Sequence, residues 1–307
     1  MHVSVLLNES IESLNIKEDG IYVDCTLGYA GHSSEILKRI KKGHLFAFDQ
    51  DSEAIKSSDK KLSQIGSNYT IIKSNFVYLK EKLMELGINE VDGILFDLGV
   101  SSPQLDDDYR GFSYHHDAKL DMRMDLESDF SAWDVINTYS EEELTRIIFK
   151  YGEEKYAKSI ARNIVKERQK KPINTTFELV EIIKNSMPEK AKRDKHPARK
   201  TFQAIRIEVN HELDILESSM RDASSMLKVG GILSVITFHS LEDRIVKNVF
   251  KDLTEIEPLV KGLPDIPDKY LPDFKLVTNK AIVPKEEELI NNNRSRSSKL
   301  RVLKRIK

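Results

Sequence analysis

Three aspartates, Asp24, Asp49 and Asp97, each close a short apolar run, and each run gives way to a turn. The runs are Ile21-Tyr22-Val23-Asp24, Leu45-Phe46-Ala47-Phe48-Asp49 and Gly93-Ile94-Leu95-Phe96-Asp97. The first leads into Cys25-Thr26-Leu27-Gly28-Tyr29-Ala30-Gly31-His32, the third into Leu98-Gly99-Val100-Ser101-Ser102-Pro103-Gln104. A lone aspartate at a strand end often only caps the next helix. Three of them, with a glycine turn after the first, point instead to one cleft that favours positive charge. The turn Gly28-Tyr29-Ala30-Gly31 lacks one glycine of a dinucleotide fingerprint, Asp24 would sit beside a diphosphate, and no Gly-Lys-Ser/Thr ending follows. An acid followed by a glycine turn suits a cationic ligand without phosphate. S-adenosylmethionine meets both conditions: its ammonium and sulfonium are positive, its amino acid needs a close backbone approach, and its ribose diol can pair with an acid at the second strand end.

Short apolar runs that alternate with helical patterns read as parallel strands buried on both faces. In such sheets ligands bind beyond the carboxyl ends of the strands, where strand order reverses. The alternation runs from Ile21 to Asp97, with helical segments near residues 33–40, 51–64 and 76–86. Between about residues 106 and 200 it gives way to charged helical patterns. Ser140-Glu141-Glu142-Glu143 and Thr175-Thr176-Phe177-Glu178 are capping boxes there, and a further amphipathic run covers residues 153–171. A long helix is expected over residues 201–227, broken by Gly230-Gly231, then a strand over 232–238, a helix over 241–253 and strands near 274–278 and 300–303. The expected fold is α/β: a doubly wound, mostly parallel sheet of residues 1–105 and 201–307, with an inserted all-helical domain of residues 106–200.

Five blocks carry a family resemblance. They are Asp97-Leu98-Gly99-Val100-Ser101-Ser102-Pro103-Gln104-Leu105-Asp106, Arg110-Gly111-Phe112-Ser113, Leu120-Asp121-Met122-Arg123-Met124-Asp125, Thr201-Phe202-Gln203-Ala204-Ile205-Arg206 and Phe238-His239-Ser240-Leu241-Glu242-Asp243-Arg244. The chain resembles the RsmH (MraW) family of ribosomal RNA methyltransferases. That resemblance implies a class I, Rossmann-like fold and S-adenosylmethionine-dependent methylation of the exocyclic N4 of a cytidine in the decoding region of 16S rRNA. It implies cofactor contacts at Ala30, Gly31, His32, Asp49, Phe76, Asp97 and Gln104. The family usually has glycine where this chain has Ala30, so the turn is expected to keep ordinary backbone angles there.

The residues also support part of this by their chemistry. Asp49 can accept two ribose hydroxyls, and Phe76 is placed to lie against adenine. Asp97, Ser101, Ser102 and His239 are the catalytic candidates: acceptors that hold the amine in line with a methyl group act by positioning and electrostatics. His239 has two open roles, orienting the base or taking the surplus proton, and a purely structural role also stands. The aromatic that usually follows such a strand exit is absent, which leaves Phe112, Tyr114 and Phe238 as candidates to stack on the base. No His, Cys or Asp spacing suggests a metal.

Composition sets the remaining bounds. With 307 residues, 39% hydrophobic and 32% charged, the chain is an ordinary globular one and long enough for two domains. Its single cysteine, Cys25, excludes an internal disulfide and fits a reducing compartment. No run approaches the roughly 18 apolar residues of a membrane span, and the first residues carry no charged leader. A cytoplasmic protein without a membrane partner is expected. The net charge of -2 hides basic stretches at residues 184–200 and 289–307, either of which can follow a phosphate backbone or form a solvated face. Arg110, Arg123, Arg206 and Arg244 are candidates for RNA contacts or internal carboxylate pairs. The expected partner is 16S rRNA in the small ribosomal subunit, with no DNA. The competing readings are a methyltransferase acting on DNA or another RNA base, and a ribosome-assembly factor with a vestigial cofactor pocket.

Overall fold

Seven strands form one sheet in the order β3-β2-β1-β4-β5-β7-β6. They are β1 (Ile21–Asp24), β2 (His44–Asp49), β3 (Tyr69–Lys73), β4 (Val91–Asp97), β5 (Leu227–Thr237), β6 (Phe274–Leu276) and β7 (Lys299–Arg305). The computed structural model describes residues 4–100, 109–192, 196–256 and 260–307. Strand β7 runs antiparallel to both β5 and β6, while the pairings among β1 to β5 are parallel. Alternate residues enter opposite faces, as the two-residue strand period requires. Val23, Phe46, Phe48, Ile94, Phe96 and Val235 join the core on one side, with Leu79, Met220 and Val246 from helices. Tyr22, Leu45, Ala47, Leu95 and Ile236 join the other, with Ile11, Ile36 and Leu62. Both faces are covered by helices, which makes this a doubly wound sheet.

The chain divides into two compact units. One is Met1–Gly99 with Leu213–Lys307 and holds the sheet; the other is Val100–Glu212 and is helical. Both expected capping boxes form, Ser140 with Glu143 and Thr175 with Glu178. The single long helix expected over residues 201–227 does not. Two helices take its place, Arg199–Asn210 and Leu216–Ser225, because His211 turns left-handed at φ 52° and ends the first. Helix Arg199–Asn210 packs within the helical unit: a Cβ on Gly152 would lie 2.6 Å from the carbonyl of Lys200, so the backbones meet where only glycine fits. The expected division at residue 200 falls inside this helix. Gly230 and Gly231 lie in strand β5, with a register shift opposite Val91 and Gly93, rather than at a helix end.

The tail also differs from a solvated basic extension. Residues 299–305 are strand β7, with Leu300, Val302 and Leu303 fully buried. Among the described residues no helix is long and apolar enough to cross a membrane.

Candidate functional site

Strand β1 lies between β2 and β4, so the sheet's order reverses beside it. In register, Asp24 faces Ala47 and Leu95, which leaves Asp49 and Asp97 two residues further out on either side. The three aspartates therefore do different work. Asp24 is buried and turned inward: its carboxylate accepts from Ser33 Oγ at 2.7 Å and from the Thr26 amide at 3.1 Å. Burial pushes its pKa up, and these hydrogen bonds oppose the shift. Its role is to brace the turn.

That turn is tightly wound. Gly28 and Ala30 both have positive φ, 48° and 56°. The expectation of ordinary angles at Ala30 is overturned, since residue 30 must be left-handed for helix Gly31–Arg39 to start so soon after β1. A Cβ on Gly31 would fall 1.7 Å from Ser4 Oγ, so any side chain there would have to displace Ser4. The turn's carbonyls are tied back, that of Gly28 by Ser58 Oγ at 2.7 Å and those of Tyr29 and Ala30 by Lys61 Nζ at 3.2 and 3.3 Å. What remains is the amide-rich first turn of a helix.

Asp49 links this turn to the second strand. Its Oδ2 accepts from the Gly28 amide at 2.8 Å and its Oδ1 from the Asp51 amide at 2.9 Å. Burial is the main reason its pKa rises to about 6. Phe76 sits just beyond, half-buried, with its ring edge-on to Phe96 at 5.3 Å, while the Ser74 amide bonds the Asp49 carbonyl.

Asp97 stands at the exit of β4. Its backbone amide donates to Thr26 Oγ1 at 2.7 Å, and its Oδ2 lies 3.5 Å from His32 Nδ1. Its Oδ1 is buried and has no hydrogen-bond partner among the described residues. Burial, then repulsion from Asp24 and Glu242, push its pKa well up. His239 follows β5 and is the N-cap of helix Ser240–Thr254. Its Nδ1 accepts from the Glu242 amide at 3.5 Å, and Glu242 in turn accepts from the amides of Phe238 and His239 at 2.7 and 3.2 Å. Glu242 was missed as a site residue, although its three-residue spacing from His239 is a capping-box signature. Ser101, Ser102 and Gln104 lie outside the described residues.

So the structure gathers Ala30, Gly31, His32, Asp49, Phe76, Asp97 and His239 on one unit. The stacking candidates separate. Phe238 is partly buried against the sheet's core, Phe112 is buried in the helical unit, and Tyr114 stacks on His196 there with ring centres 4.4 Å apart. Three of the arginines are committed internally: Arg123 forks onto Asp121, Arg206 onto Glu212, and Arg110 donates to the carbonyls of Arg123 and Met124. Among the described residues no group of three or more His, Cys, Asp or Glu could hold a metal.

A doubly wound sheet in this order, with a reversed β7 and a glycine turn between acidic strand exits, defines a Rossmann-like, class I methyltransferase. The model of the MraW methylase family matches residues 1–306, and the chain belongs to that family. Its cofactor is S-adenosylmethionine. Similar solved structures include an rRNA methylase from Streptococcus thermophilus, 11% identical with a TM-score of 0.46 and 100% of both chains covered. Another is NSun6 from Pyrococcus horikoshii, solved with SFG, 13% identical with a TM-score of 0.44 over 99% of this chain and 53% of that one.

Proposed function

We propose that this methyltransferase acts in the cytoplasm on the small ribosomal subunit and methylates the exocyclic N4 of one cytidine in the decoding region of 16S rRNA. The observation that carries this reading is Oδ1 of Asp97 at the β4 exit, buried and without a hydrogen-bond partner among the described residues. A buried acceptor without a donor costs free energy unless a ligand supplies one, and an amine does so. The five family blocks support the choice of cytidine.

In this reading the turn Ala30, Gly31 and His32 holds the methionine end of the cofactor, Asp49 the ribose hydroxyls and Phe76 the adenine, and the family resemblance assigns Gln104 to the cofactor as well. When bound, S-adenosylmethionine supplies a methyl group on a sulfonium, ready for in-line attack. Asp97 accepts a hydrogen of the cytosine amine and aims its lone pair. Transfer would break the sulfonium's bond to the methyl and leave a neutral thioether, and the surplus proton of the methylated amine would pass to Oδ1 of Asp97. Burial, Asp24 and Glu242 have raised that carboxylate's affinity for a proton, which suits it to the task. Ser101 and Ser102 stay catalytic candidates from the sequence alone, and His239 orients the base.

The helical unit is the proposed RNA-recognition part. A cleft of about 450 Å³ in it is lined by Lys119, Trp133 and Asn174, by the Arg123–Asp121 pair and by Asp129. An aromatic face such as that of Trp133 suits the stacking of an unstacked base. Mass-spectrometric mapping of small-subunit rRNA from cells with and without the gene tests the whole reading. One N4-methylated cytidine should vanish with the gene, and an unchanged map would sink it.

A further inference from the structure

The surroundings of His239 are more specific than orienting a base requires. Its side chain is 10% exposed. Nδ1 faces the backbone amide of Glu242 and must be an acceptor there, so the ring's proton belongs on Nε2. The same conclusion comes from the other nitrogen: Nε2 lies 3.1 Å from Glu242 Oε1, which an unprotonated nitrogen would avoid. Even so, Nε2 makes no hydrogen bond among the described residues. Glu242 is itself buried, at 2% exposure.

Strands β4 and β5 are paired with Asp97 opposite Ile236, so their exits are neighbours. They present two buried atoms without partners among the described residues, an acceptor at Asp97 Oδ1 and a donor at His239 Nε2. Cytosine carries the complement on adjoining atoms, a donor at N4 and an acceptor at N3. Uracil carries the reverse, an acceptor at O4 and a donor at N3.

We propose that His239 and Asp97 together read the pairing edge of the target base, with His239 Nε2–H donating to cytosine N3, and that Glu242 is the positioning residue that holds His239 in this tautomer. The inference rests on the cytidine-N4 reading. It removes His239 from the route of the surplus proton, because a ring that donates at Nε2 and accepts at Nδ1 has no free site for one. It also accounts for selectivity against uracil without steric exclusion. Adenine shows the same donor and acceptor pair, so rejection of purines falls to size.

The test replaces N3 by C–H. Small subunits are reconstituted around rRNA carrying cytidine or 3-deazacytidine at the target position, and single-turnover methylation is measured. His239→Asn keeps a good helix N-cap but is too short to reach the base, and Glu242→Gln keeps an acceptor for the amides of residues 238 and 239. Circular dichroism and titration with S-adenosylhomocysteine check that both variants fold and bind. The deaza substitution should slow the wild-type protein about three- to tenfold more than it slows His239→Asn, the effect of one neutral hydrogen bond. Glu242→Gln should show an intermediate factor. An equal factor in wild type and His239→Asn would overturn the inference while leaving methylation at N4 intact. If the wild-type protein transfers no methyl to the N4 of the unmodified control, the cytidine reading itself has failed.

Discussion

Ala30 adopts a left-handed backbone that an L-residue with a Cβ takes up at a cost of about 1–2 kcal/mol. Ala30→Gly relieves that strain but adds freedom to the unfolded chain, worth about 0.4–1 kcal/mol. A net gain of about 0.5–1 kcal/mol in urea denaturation is expected; a loss of stability would mean that the methyl's packing outweighs the strain. Asp49 makes a sharper prediction, because its site and its stability oppose each other. Its pKa is about 6 in the folded protein against an ordinary 3.8. The folded state therefore holds the proton more tightly than the unfolded chain. Stability from this group is present below about pH 4 and is lost as pH rises through about 6, by roughly 3 kcal/mol at most. Asp49→Asn can accept only one of the two amides that the carboxylate accepts, a loss common to every pH. Relative to wild type it should thus gain stability between about pH 4 and 7, while its affinity for S-adenosylmethionine falls about ten- to a hundredfold. A stability difference that does not change with pH would remove the burial argument; unchanged affinity would remove the ribose assignment.

Among the elements, the strands of the first third were legible because their apolar runs are short, complete and closed by Asp24, Asp49 and Asp97. Helix starts at Ser140 and Thr175 were legible for a local reason too, since a capping box lies within four residues. The misreadings share a non-local cause. The apolar spacing of Ile205, Val209, Leu213, Leu216 and Met220 continues through residue 211, but the chain turns there, and only packing decides that Phe202 and Ile205 are buried in one unit and Met220 in the other. The strand expected near residues 300–303 does form, but its pairing with β5, over sixty residues earlier, is equally non-local and was not legible. Deletions separate the two divisions of the chain. Replacing residues 106–200 by a flexible linker leaves most of helix Arg199–Asn210 without helix Glu141–Gly152. It would expose Phe202, Ile205 and Val209, at about 1.5–3 kcal/mol each. That protein should aggregate. Replacing residues 100–212 should leave a soluble sheet unit that still binds S-adenosylmethionine, more weakly for want of Gln104. Equal solubility of the two, by size-exclusion chromatography, would show that the helix Arg199–Asn210 does not depend on the helical unit.

For the whole molecule, a net charge of -2 says little about RNA binding until the basic residues are sorted by what they touch. In strand β7, Lys299 and Arg301 bind Asp243 at 2.8 and 2.7 Å. Burial pushes the Asp243 carboxyl up, but these hydrogen bonds outweigh it and hold the pKa below its ordinary value. Arg305 lies against the Leu227 carbonyl. Lys299 and Arg301 join helix Ser240–Thr254 to the sheet, so Arg301→Gln should cost about 1.5–3 kcal/mol of stability and leave the salt dependence of RNA binding unmoved. The stretch at residues 184–200 differs. Lys184 and Lys192 pair with Glu181 and Glu189 near the surface, in contacts that contribute little and can be exchanged for phosphate; Arg193 and Lys195 lie outside the described residues. Removing one cation that neutralises a phosphate flattens the slope of log affinity against log salt by about 0.7–0.9. Replacing Lys192, Arg193 and Lys195 together by Gln should flatten it by about 2–3, with cofactor affinity unchanged because none of the three belongs to the strand-exit unit. An unchanged slope, in filter binding to small-subunit rRNA across a salt series, would assign this stretch to solvent. The exposed Arg294 and Arg296 would then be next to test.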